Sequence, residues 1–119
     1  MEPSTIKINE VEYVRKDSIQ SIPEVTGDYF IVRTYSAGVF AGNIAKREGQ
    51  EVEMSNARRL WYWDGAASLS QLALEGVKAP DNCKFPAALP KVVLMQAIEI
   101  IPCTSEARKS IEAVKVWKR

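Results

Sequence analysis

The stretch Leu60-Trp61-Tyr62-Trp63-Asp64-Gly65-Ala66-Ala67-Ser68-Leu69-Ser70-Gln71-Leu72-Ala73-Leu74-Glu75-Gly76 changes its periodicity halfway along. Upstream, residues 51–63 carry Val52, Met54 and later Leu60 at even spacing, the period of a strand with one buried face. Downstream, Leu69 and Leu72 stand three apart, Ser68 and Gln71 form a capping-box pair, and Gly76 suits the position just past a helix end. That half predicts a short helix with both ends marked. Two further strand candidates come before it. Residues 29–35 are β-branched and aromatic, and residues 38–47 follow the tight Ser36-Ala37-Gly38 corner. The Glu48-Gly49-Gln50 turn leads into the third strand. Strands in an antiparallel meander, then helices set to one side, make the α+β pattern, here with two short helices.

The rest of the chain extends this frame. Residues 7–14 alternate around Asn9-Glu10 as an N-terminal hairpin would, and residues 18–26 read as a connector. Residues 1–27 are thus expected to form an arm and residues 28–119 the core of a single domain spanning 1–119. Residues 79–90 form a loop punctuated by Pro80, Pro86 and Pro90. Residues 91–101 are the most apolar run and predict a central, mostly buried strand. Thr104 or Ser105 can cap a second helix through Ala113, with Glu106 in its first turn, and residues 114–117 would close the chain as a short strand.

At 119 residues, 46% hydrophobic and 26% charged, the chain has the size and composition of one globular domain. A net charge of +1 supplies no long-range field toward a nucleic acid polymer or an acidic membrane, so any bound anion needs a local cluster of cations. No apolar run reaches membrane-span length, and the start Met1-Glu2-Pro3-Ser4 lacks signal-peptide character. The cytoplasm is therefore expected. There is no histidine, which removes Ser-His and Cys-His nucleophiles, His-ligated metals and the commonest general base. Cys83 and Cys103 read as two reduced, half-buried thiols, and neither has carboxylates at zinc-ligand spacing. Neither a metal nor a cofactor is expected.

Functional promise concentrates in residues 57–70, where Arg58 and Arg59 precede three aromatics and a helix start. An arginine fork matches phosphate oxygens, Gly65-Ala66-Ala67 allows close approach to the backbone before Ser68, and indoles offer stacking faces. On a regular strand Arg59, Trp61 and Trp63 share one face and Arg58, Leu60 and Tyr62 the other, unless the strand bulges. Arg58 is favoured as the ligand residue, because its face is free of the two tryptophans. An aromatic face of this kind is more often core or subunit contact than ligand platform. Arg33, a charge inside an apolar strand, needs Asp28, Glu53 or an anion as partner. Asn82, Lys84 and Phe85 sit on a loop, where binding residues often lie. Arg108 and Lys109 read as a solvated helix face, and Glu10 with Glu12 and Glu51 with Glu53 as solvent faces of strands. No pair of carboxylates is placed for acid–base chemistry.

Taken together, residues 33–42, residues 56–63 with Gly65-Ala66 and Ser68-Leu69-Ser70-Gln71-Leu72, and Asn82-Cys83-Lys84-Phe85 resemble the Thoeris anti-defence sponge family of small phage proteins. The resemblance runs from Tyr29 to Trp117. It implies a non-enzymatic protein that binds a glycocyclic ADP-ribose signal without turning it over, in the cytoplasm of an infected bacterial host. It implies sites at a subunit interface in a dimer-based homo-oligomer, as large as a hexamer, with cyclic di- or trinucleotides taken up at separate sites. By the same resemblance Arg58 or Arg59 meets the pyrophosphate, Phe85 stacks on adenine and Asn82 reads a base edge or ribose. Arg33 belongs to the second kind of site, and Arg108, Lys109 or Lys115 supplies a C-terminal basic contact. Two competing readings are a phage structural or assembly protein that uses its tryptophans for subunit contacts, and a hydrolase of such ligands.

Overall fold

A computed structural model of the protein describes residues 25–118. The expected N-terminal hairpin, and the connector as far as residue 24, lie outside them. Three strands form the expected meander: β1 (Val25–Thr34), β2 (Val39–Glu48) and β3 (Glu51–Arg59). β1 and β2 pair antiparallel with Val32 opposite Phe40, and β2 and β3 with Ile44 opposite Met54.

The apolar run at residues 91–101 is not one central strand. It divides into β4 (Leu89–Leu94) and β5 (Ala97–Thr104), which lie on opposite edges of a five-stranded antiparallel sheet of order β4-β3-β2-β1-β5. Leu94 pairs with Val52 at one end of the sheet, whereas Ala97 pairs with Thr34 at the other. In a flat sheet these are diagonal corners. Three virtual bonds span at most about 11 Å, so the corners can meet only if twist curls the sheet strongly. The Ala97 amide accordingly donates to Gln50 O of the β2–β3 turn (3.0 Å), and the Tyr35 amide to Gln96 O (3.0 Å). The run is continuously apolar because two edge strands meet at a corner; Val93, Met95 and Ile98 remain exposed.

Curling gives the sheet two cores. Alternate residues of β1 face opposite ways, Tyr29 and Ile31 toward the helices, Val32 into the curl. The helix side collects Ala41, Leu60, Leu72, Phe85, Cys103 and Ile111, and the inner side Phe40, Val52, Met54, Ala57 and Leu94.

β3 changes parity midway. Ser55 pairs with Asn43 and Arg58 with Ala41, so Asn56 and Ala57 both face Gly42, a β-bulge in which Asn56 takes φ 50°. Gly42 must be glycine, since a Cβ there would sit 2.7 Å from Asn56 O. Before the bulge the even residues Val52 and Met54 point into the curl; after it the odd residue Ala57 does. β3 ends at Arg59 rather than running to Trp63, and the Trp61 and Tyr62 amides turn to Lys84 O instead (3.2 and 3.3 Å).

Both expected helices form. In α1 (Leu69–Glu75) Ser68 Oγ accepts from the Gln71 amide, Gln71 Oε1 accepts from the Ala67 amide, and Gly76 ends the helix at φ 77°. In α2 (Ser105–Ala113) Thr104 is the cap, accepting from the Ala107 amide at 3.0 Å and donating to Leu74 O at 2.6 Å. Between α1 and β4 the proline-rich segment makes a 3₁₀ turn over Pro80–Asn82. Residues 114–117 form no strand; a single bridge, Phe85 with Val116, fastens them.

Candidate ligand-binding site

At the β1–β2 end of the sheet the strands open into a groove of about 530 Å³, lined by Ser36, Ala37, Gly38, Val39, Arg59, Leu60, Trp61 and Trp63. Two motifs separate in sequence meet here. The β1–β2 turn supplies the floor, the end of β3 supplies the arginine, and the segment after it supplies the two indoles. The bulge at Asn56 makes this possible, because without it Arg59 would point to the helix face. Instead its guanidinium lies over the buried ring of Phe40 at 4.3 Å, and Nη1 donates to Ala37 O. That carbonyl is its only hydrogen-bond partner among the described residues, and no carboxylate pairs with it there. The side chain lines the groove with its other N–H groups unpartnered among the described residues. Trp61, also in the lining, is 63% exposed, and Tyr35, in the β1–β2 turn, is 77% exposed.

The turn below Arg59 is closed by one side chain. Thr34 Oγ1 donates to Gly38 O (2.8 Å) and accepts from the Ala37 amide (2.8 Å), while the Thr34 amide also donates to Gly38 O (3.0 Å). Gly38 takes φ 97°, which favours glycine.

The other residues singled out in the sequence have different duties. Arg58, favoured in the sequence as the ligand residue, is buried (5% exposed) and lines a smaller cavity of about 270 Å³ with Tyr29, Asn56 and Glu112. Its Nε, Nη1 and Nη2 donate to Pro86 O (2.9 Å), Ile111 O (2.8 Å) and Phe85 O (3.0 Å), tying β3 to the proline-rich segment and to the end of α2. Burial lowers its pKa from the ordinary value. Phe85 is fully buried in the helix-side core with the Arg58 guanidinium 5.5 Å from its ring, so it offers no stacking face. A loop position conceals this, since no periodic apolar pattern around Phe85 marks it as core. Asn82 Nδ2 donates to Asp64 Oδ2 at 3.1 Å. Arg33 pairs with Glu99 (2.9 Å), across the β1–β5 ladder, rather than with Asp28 or Glu53. Arg108 bridges Asp28 (3.2 Å) and Glu112 (3.3 Å) and lies 4.9 Å from the Tyr29 ring centre.

The helix start expected to share a phosphate does not face the groove. Gly65 approaches Lys78 and Ala79 so closely that a Cβ would stand 2.5 Å from both amide nitrogens. Its freedom serves backbone packing, and the Ser68 and Gln71 side chains already take the Gln71 and Ala67 amides. Cys83 and Cys103 are both free and buried. Burial raises both thiol pKa values, that of Cys103 to about 12. Among the described residues no group of three or more Cys, Asp or Glu is placed to hold a metal, and no helix is long and apolar enough to cross a membrane.

Sequence reading found Arg59 and the tryptophans but missed Thr34 and Phe40. A threonine two residues before a small-residue corner is the local signal for such a side-chain-closed turn. Phe40 has no local signal, since only cross-strand register puts it under Arg59.

The family described as "Domain of unknown function (DUF6948)" matches residues 27–111, which include every groove residue. No curated protein and no solved structure matches the chain.

Proposed function

The chain belongs to the DUF6948 family, and we propose that it binds a small anionic, nucleotide-derived ligand in the Arg59 groove and releases it unchanged. The observation that carries this reading is the state of Arg59. Of the four arginines singled out in the sequence, it alone has neither an acidic partner nor a full set of carbonyls among the described residues. A half-buried guanidinium stacked on Phe40, with most of its fork unspent, suits an oxyanion, which it can meet bidentately. Indoles on the same groove suit a flat ring. The volume lies within the usual range for small-molecule sites. The groove lining contains no carboxylate, lysine or cysteine, and the chain contains no histidine, so nothing there takes up a proton near neutral pH. That favours holding over hydrolysis.

The sponge resemblance supplies the ligand class, a glycocyclic ADP-ribose-type signal, with cyclic di- or trinucleotides as further candidates. In this reading the pyrophosphate would be met by Arg59, and a base would stack on Trp61 rather than on the buried Phe85. The exposed Trp61 and Tyr35 would be covered by a second copy of the chain, enclosing the ligand in a homo-oligomer. The same exposure favours a second reading, a phage assembly protein whose aromatics make subunit contacts.

Titration calorimetry with glycocyclic ADP-ribose separates these. The wild type is expected to bind and Arg59→Ala to bind much more weakly, and heating the complex should release intact ligand on chromatography. Recovery of a cleaved product would make the protein an enzyme. Wild-type protein that takes up no ligand would favour assembly.

A further inference from the structure

Arg33, just before the turn at residues 34–38, is spent on Glu99. The informative residue is its neighbour. Thr34 closes β1, is 6% exposed, and directs its hydroxyl into the turn. One oxygen there does two things: it donates to Gly38 O and accepts from the Ala37 amide, both at 2.8 Å. The carbonyl that holds Arg59 belongs to Ala37 as well. The Ala37 residue is therefore gripped on its amide side by Thr34 and on its carbonyl side by Arg59. Gly38, whose Cβ position lies 3.4 Å from Arg59 Nη1, leaves the approach open.

We propose that Thr34 is the positioning residue of the Arg59 groove, acting through Ala37 to fix the direction of the guanidinium; this rests on the Arg59 groove being the ligand site. A guanidinium on a long side chain meets an oxyanion bidentately only when its plane is fixed in advance, and loose positioning of such a group weakens binding without removing its charge. Phe40 sets the height of the plane by stacking under it. A ring face leaves rotation within the plane free, and the Ala37 carbonyl stops it. Thr34 in turn stops the carbonyl, because its β-branched side chain has few rotamers and here both functions of its hydroxyl are used.

The test uses Thr34→Val, which keeps the shape and deletes both hydrogen bonds, and Thr34→Ser, which restores them. The first readout needs no ligand. Side-chain ¹⁵N NMR of arginine should show slowed Cζ–N rotation for the Arg59 guanidinium in the wild type, assigned by its absence in Arg59→Lys. That signature should vanish in Thr34→Val and return in Thr34→Ser. The second readout is the Kd for glycocyclic ADP-ribose, expected to rise about tenfold in Thr34→Val and to lie within about threefold of wild type in Thr34→Ser. An Arg59 signature unchanged in Thr34→Val overturns the proposal whatever the ligand result. An Arg59 signature that follows Thr34, in a protein that binds no ligand, upholds the positioning role and overturns the site reading instead. If Thr34→Val unfolds, Thr34→Ala is read by the same two measurements.

Discussion

Adjacent arginines, Arg58 and Arg59, differ in everything but their side chain. Arg58 is buried against three carbonyls, while Arg59 rests on Phe40 with its fork open. Replacing Arg58 with alanine removes three charge-assisted hydrogen bonds at once, although Ile111 O and Phe85 O each keep a backbone donor, and such bonds are worth about 1.5–3 kcal/mol each. For a domain of this size that lowers the melting temperature by roughly 15 °C or more. Arg59→Ala should leave the melting temperature within a few degrees and weaken ligand binding by about 2–5 kcal/mol, the cost of a charge-assisted bidentate contact. Calorimetry of both variants decides the matter, and the opposite pattern would return the site to Arg58. Phe85→Ala belongs with Arg58. A fully buried ring leaves a cavity worth about 3–5 kcal/mol, read as a lower urea midpoint. A ligand platform would instead lose affinity with its stability intact.

Among the elements, the bulge in β3 decides most. It switches which parity faces the curl, so it sends Arg58 to the helices and Arg59 to the groove. Its partner is Gly42, where a Cβ would meet Asn56 O at 2.7 Å and Ser55 O at 2.9 Å. Both contacts are backbone and cannot rotate aside. Gly42→Ala is therefore expected to cost about 1–3 kcal/mol, the range for overpacking, and to weaken ligand binding by shifting Arg59. Hydrogen exchange should quicken at residues 55–58 before the rest of the sheet. Uniform exchange across the sheet would show that the bulge is not the strained part. The helices are less sensitive. Ser68→Ala removes one cap of α1 and should cost about 1 kcal/mol without touching the groove.

For the molecule as a whole, buried acids set the alkaline limit. Burial lifts the thiol of Cys103 to about 12 and raises Cys83 and the Tyr29 phenol, the last also through the charge of Glu112. Native pKa values above the unfolded ones mean that the native state holds its protons longer. The associated stability is complete below the unfolded thiol value near 8.5 and is lost as pH climbs toward 12. The melting temperature should be level from pH 6 to 8 and fall from about pH 9, less steeply in Cys103→Ala when each protein is referred to its own value at pH 7. A melting temperature flat to pH 11 would contradict this burial. Sedimentation at micromolar concentration should show at least a dimer, given Trp61 and Tyr35 at the surface, and Trp61→Ala should weaken it. What the amino-acid order determined alone was the local part: the meander, because alternation and turn residues act over a few positions, and both helices, because Ser68 with Gln71 and Thr104 cap their own first turns. Whatever depends on partners distant in sequence was decided only by tertiary structure. The apolar run at 91–101 became two edge strands because the sheet curls, and Phe85 went inside because α2 and β3 close over it. Which arginine lies open on the groove was decided by one extra residue in β3, a bulge whose room comes from Gly42 on the facing strand.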